Sequence, residues 1–136
     1  MKQYISVLLI LFVLVFYSCN KKEAIVKTFT GDLPIVSTIT PRSVLVGQDI
    51  ISKVHFELTS ISGDVIFQGF DIKEIATRQF NLNAKALYKD WNTQISSDMI
   101  MTFDTTVSVK ATMTGQYILN FYNSTKLVKS DTVQAN

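Results

Sequence analysis

Val54-His55-Phe56-Glu57-Leu58 puts an apolar side chain at every second position. Period two is the signature of a β-strand with one face in a core and one in solvent. Val54, Phe56 and Leu58 take the core face; His55 and Glu57 take the solvent face. The strand is predicted to start at Ile50, after the turn Gly47-Gln48-Asp49. Upstream, Ile35 to Thr40 reads as a strand that Pro41 ends or marks as an edge, and Ser43 to Val46 as another. Gly31 to Pro34 reads as a turn, and Ala24 to Thr30 as a first strand or a linker.

Downstream, Thr59 to Asp64 is a predicted turn, and Val65 to Ile72 an apolar-rich, less regular strand in which Gly69 marks a bulge or a close approach of backbone. Lys73 to Trp91 is ambiguous. Phe80 and Leu82 suggest a strand over 78–83 followed by an irregular connection, while 84–91 has the composition of a short helix. Met99 to Phe103 is one strand-like run and Thr105 to Met113 another, the second with Val107, Val109, Ala111 and Met113 on one face. Gln116 to Tyr122 and Lys126 to Gln134 flank Asn123-Ser124-Thr125, which predicts a hairpin. The sum is an all-β domain of about seven strands. No long helical pattern is available to cover a parallel sheet.

The N-terminus has a different grammar. Met1-Lys2-Gln3 precedes a run of 14 residues, Tyr4 to Tyr17, apolar but for Ser6. Spanning a bilayer takes about 20 residues. A short charged start, an apolar centre and a small residue at the break predict a secretory signal peptide. An uncleaved anchor is the alternative, and Lys21 and Lys22 oppose it because positive charge resists export.

The run ends in Phe16-Tyr17-Ser18-Cys19, and Cys19 is the single cysteine. These residues resemble a bacterial lipobox of the Bacteroidota type, with a small Ser18 beside the cut, although Phe16 and Tyr17 depart from the commonest pattern. The resemblance implies cleavage after residue 18, a lipidated Cys19 as membrane attachment point, and a short tether over 19–24. It implies a lipoprotein of the bacterial cell envelope, in the outer membrane. Two or more acyl chains anchor a protein firmly where one does not.

Residues 25–136 form the expected domain, which over about 35–134 resembles a bacterial immunoglobulin-like domain. Thr114-Gly115-Gln116-Tyr117 opening the run to Tyr122, then Leu127 to Val133, is similar to the last two strands of such domains. Pro41, Val44, Gly47 and Ile50 are similar to their opening strands. The resemblance implies an antiparallel immunoglobulin-like sandwich, with Tyr117 as a tyrosine corner tying its strand to a nearby loop. An open antiparallel barrel is the structural alternative.

Chemistry is sparsely signalled. His55 is the only histidine. No nucleophile elbow accompanies it, and Ser60 and Ser62 read as turn residues. Asp64, Asp71, Asp98 and Asp104 lie in no calcium-loop pattern. Asp49, Glu57, Asp64, Asp71 and Glu74 have no context that marks a glycosidase pair. There is no phosphate-binding glycine loop, and Arg42 and Arg78 are the only arginines. Thirteen basic and eleven acidic residues are scattered, which is no nucleic-acid footprint.

The expectation is a non-enzyme that needs no cofactor and no metal. Its partners are a membrane, through lipidated Cys19, and an envelope protein or surface glycan. Trp91 and Tyr122 are the aromatic residues best placed to form an interaction surface. An inhibitor or immunity-type protein is the second expectation, and a small hydrolase or ligand carrier the third. Asp104-Thr105-Thr106 and Asp131-Thr132-Val133 resemble the Asp-Thr O-glycosylation sites of Bacteroidota.

Overall fold

A computed structural model describes residues 26–58, 63–90 and 100–136. Nine strands are present: β1 (Lys27–Asp32), β2 (Ile35–Ile39), β3 (Ser43–Val44), β4 (Asp49–Leu58), β5 (Gly63–Ala76), β6 (Gln79–Asp90), β7 (Met101–Lys110), β8 (Gly115–Asn123) and β9 (Lys126–Ala135). There is no helix among the described residues. The signal segment and Cys19 lie outside the described residues, as does Trp91.

The strands form two sheets, one in the order β2-β4-β7 and one containing β1, β3, β5, β6, β8 and β9. The alternation read in Val54 to Leu58 holds along all of β4: Ile50, Ser52, Val54, Phe56 and Leu58 are buried, and the residues between them are not. These side chains meet Leu82, Ala84 and Ala86 of β6, Tyr117, Leu119 and Phe121 of β8, and Val133 and Ala135 of β9 in one core. Burying each large apolar side chain contributes about 1.5–3 kcal/mol. Phe56 stacks on its cross-strand partner Phe103, with centroids 4.9 Å apart, and Phe67 and Phe70 close the same end of the core.

Three sequence expectations need correction, the first being the count, with nine strands among the described residues against the expected seven or so. The connection expected after residue 83 is not irregular, nor is it a helix. It is the second half of β6, the central strand of the larger sheet. The sandwich is also not wholly antiparallel. β6 pairs with β8 in parallel over Gln79↔Ile118 to Asn83↔Tyr122, and β3 pairs with β9 in parallel.

The position of β6 follows from edge accounting. A strand has two hydrogen-bonding edges. β5 occupies one along nearly the whole of β6. β8 and β1 therefore share the other end to end, β8 on residues 79–83 and β1 on residues 85–90. At the junction the Leu33 N–H donates to the Ala84 carbonyl at 2.8 Å. Beyond Pro34 the chain crosses to the smaller sheet. Asn123 secures the crossing: its Oδ1 accepts from the Ile35 N–H at 2.7 Å and its Nδ2 donates to the Ile35 carbonyl at 3.1 Å.

Gly69 sits at a register shift in β5, with φ of 116°, as its position in the strand predicts. The predicted hairpin joins β8 to β9 through Ser124 and Thr125. From Asp71 to Ala76, β5 is exposed on both faces, while the β5–β6 turn stays bonded to the start of β8: the Arg78 carbonyl accepts from the Ile118 N–H at 2.9 Å.

Candidate functional site

The outer face of β2-β4-β7 brings a row of functional side chains together. Ser37 is the cross-strand partner of His55, and His55 is the cross-strand partner of Asp104. All three have solvent-side parity because the buried residues of β4 are the even-numbered ones. His55 Nδ1 lies 2.7 Å from Asp104 Oδ1, and Lys53 Nζ lies 2.8 Å from Asp104 Oδ2. The hydrogen bonds from Lys53 and His55 hold the Asp104 carboxyl below its ordinary pKa. A shallow depression is lined by Ser37, Ile39, Lys53, His55 and Asp104, and a second continues it past Ile51 and Thr106.

Ser, His and Asp in a row are the residue types of a hydrolytic relay, and the geometry here argues against that use. Asp104 shares its charge with Lys53 and is 42% exposed, so it is a poor orienter of an imidazole. A tetrahedral oxyanion also needs free backbone N–H groups aimed at it. The amides of β4 beside His55 are engaged with β2 and β7, and the free amides of β7 lie in the plane of the sheet and point away from β4, not toward its outer face. The arrangement suits binding: an ion cluster flanked by Ile39 and Ile51, which are 72% and 55% exposed.

The residues singled out in the sequence divide. His55 falls on the solvent face as expected. Asp104 joins no group that could hold a metal, and no such group exists among the described residues. Tyr122 is half-buried on the outer face of the other sheet, opposite Asn83 in register. It is therefore remote from the row on β2-β4-β7. Beside it Asn120 donates to Asn81 at 3.2 Å and accepts from the Ser130 hydroxyl at 2.8 Å, a polar ladder across β6, β8 and β9. Trp91 lies outside the described residues, as do Ser60, Ser62 and Asp98. Of the two Asp-Thr stretches, Thr132 is exposed, whereas Thr105 is half-buried on the inward face of β7.

Sequence reasoning missed Lys53 and Ser37. The one signal that joins them is alternation, which puts Lys53 and His55 on one face of β4. The pairing of β4 with β2 and β7 is a tertiary fact. Comparison with protein-family models, with curated proteins and with solved structures gives no match.

Proposed function

We propose that the chain is a lipid-anchored module of a bacterial cell envelope that acts by binding or structural support, without catalysis. The anchor is Cys19, after loss of residues 1–18. The partner is an envelope protein or a surface glycan. One observation carries the binding reading: exposed Ile39 and Ile51 flank the Lys53–His55–Asp104 cluster on an open sheet face. Apolar side chains around fixed charges give area and orientation together.

The immunoglobulin-like reading is supported by the sequence β3-β9-β8 in one layer against β2-β4-β7 in the other. It is also supported by Tyr117, whose hydroxyl accepts from the Met113 N–H at 3.1 Å. The insertion of β6 between β8 and β5 is a departure from the usual seven-strand order, in which the third strand lies beside the sixth.

The edge segment from Asp71 to Ala76, exposed on both faces yet held to β6, favours a second reading, an inhibitor or immunity-type protein that presents a rigid surface to one target.

Mass analysis of the protein extracted from membranes tests the anchor. The expected species begins at Cys19 and carries added lipid mass. A mature chain that retains residues 1–18 refutes it. For the face, binding to isolated envelope glycans and to envelope protein fractions is compared between wild type and Ile39→Asp. Equal binding by both removes this face from the interaction.

A further inference from the structure

We propose that β7 is a strand-docking edge, and that its occupant is β7 of a second copy of this chain. The inference is independent of lipid anchoring. β7 is the outer strand of the smaller sheet and pairs with β4 alone among the described residues. Its other edge is straight. Ten consecutive pairs, Asp49↔Lys110 to Leu58↔Met101, run with no register shift, and the strand holds neither Gly nor Pro. Long unbulged edges without proline are templates for pairing with another chain. The other long edge, β5, is guarded: it has two register shifts and a glycine at positive φ.

The direction of the free amides follows from the ladder. The Ala111 N–H donates to the Gln48 carbonyl at 2.9 Å, and the Ala111 carbonyl accepts from the Gly47 N–H at 2.7 Å. Ala111 therefore faces β4. In an antiparallel ladder, successive residues alternate between the two edges. The odd-numbered residues of β7 thus bond to β4. The N–H and C=O groups of Thr102, Asp104, Thr106, Ser108 and Lys110 point away from it. The side chains of these five are exposed.

Symmetry and charge set the register. A two-fold axis makes the contact isologous, so each strand is the other's partner in the same way. Side chains stay on their own faces only if even-numbered residues oppose even-numbered ones. Lys110 has no ion-pair partner among the described residues. Placing it opposite the partner copy's Asp104 sets unlike charges across the strand pair, at both ends of the contact. The same register sets Thr106 opposite Ser108, and Val107 opposite its own copy on the core-facing side. The result is a continuous sheet β2-β4-β7-β7-β4-β2. Its outer face carries two Lys53–His55–Asp104 clusters, with their β4 strands about 14 Å apart, three strand spacings.

The test is sedimentation of the full-length chain in mild detergent, with wild type expected as a dimer. Thr106→Pro removes an N–H that the fold itself does not use. It is expected to raise the dimer dissociation constant about tenfold or more, with unchanged circular dichroism. Lys110→Glu and Asp104→Lys, each alone, place like charges opposite each other and are expected to sediment as monomers. An equimolar mixture of the two restores unlike pairs at both ends and is expected to re-form the dimer. A wild type that stays monomeric at high concentration overturns the proposal. A Thr106→Pro chain that folds and still dimerises like wild type overturns the edge. Two charge variants that fail to rescue one another overturn the register.

Discussion

The Thr38 hydroxyl donates to Asp131 Oδ2 at 2.7 Å and thereby ties β2 of one sheet to β9 of the other. Thr40 donates to the same oxygen at 2.6 Å. Its single proton is then committed, so the buried Ser52 hydroxyl, 2.8 Å away, must donate to Thr40. Lys129 completes the group, 3.0 Å from Asp131 Oδ1 and 2.7 Å from the Thr38 carbonyl. Asp131→Ala leaves these donors facing a gap between the sheets. Its expected cost is about 2–3 kcal/mol, measured by denaturant unfolding, while Thr38→Val costs about 1 kcal/mol.

The same carboxylate shapes the acid limb of stability. Burial pushes the Asp131 pKa up, but hydrogen bonds from Thr40, Thr38 and Lys129 outweigh it and leave the group below its ordinary 3.8. A carboxyl lowered on folding adds stability that is complete above the unfolded pKa. That stability is lost as pH falls through the folded one. Wild type is therefore expected to lose stability more steeply than Asp131→Asn as pH drops from about 4. Parallel acid-unfolding curves for the two chains would exclude the role.

The sequence disclosed β4, the β8–β9 hairpin and the bulge at Gly69 because each is a local pattern. Strong alternation, turn residues and an isolated glycine all act within a few positions. β6 was obscured by its own composition. Its core face carries Leu82, Ala84 and Ala86. Alanine is small enough for the crowded centre of the sandwich, but with Lys85, Leu87 and Lys89 it resembles a helix former. Here tertiary pairing on both edges overrides local propensity. The candidate site was half legible. Alternation put His55 outward, yet Asp104 is 49 residues away and reaches it through strand pairing alone.

Asp104 offers a direct readout of the site. Lys53 contributes most to its lowered pKa, then His55. Carboxyl titration by NMR is expected to place its midpoint below that of an ordinary aspartate. Lys53→Ala is expected to move the midpoint up, and His55→Asn to move it up by less. The shift also shrinks in high salt, because the pair faces solvent. A midpoint insensitive to both substitutions would show that the cluster is not formed in solution.

Tyr117 is 1% exposed, and its hydroxyl accepts from the Met113 N–H. Tyr117→Phe keeps the ring against Phe80, with centroids 6.4 Å apart, and loses only the polar contact. The bond is only partly buried. The expected cost is accordingly about 1 kcal/mol, near the low end for a lost hydrogen bond. A loss above about 3 kcal/mol would mean that the hydroxyl organises the whole approach to β8.

Gly115 opens β8 with φ of 120°, a region that side chains other than hydrogen rarely enter. A Cβ added there would also lie 2.6 Å from Arg78 Nη1. Arg78 withdraws only by giving up its hydrogen bond to the Thr114 carbonyl. Gly115→Ala thus combines backbone strain with a side-chain collision, and is expected to cost about 1–3 kcal/mol in denaturant unfolding. The two causes separate in the double variant with Arg78→Ala. Shortening the arginine removes the collision and leaves the dihedral unchanged. If the backbone dominates, the double variant gains back little of the loss. If the collision dominates, Gly115→Ala costs markedly less in the Arg78→Ala background than in wild type. A Gly115→Ala chain as stable as wild type would show that β8 starts from a different backbone conformation.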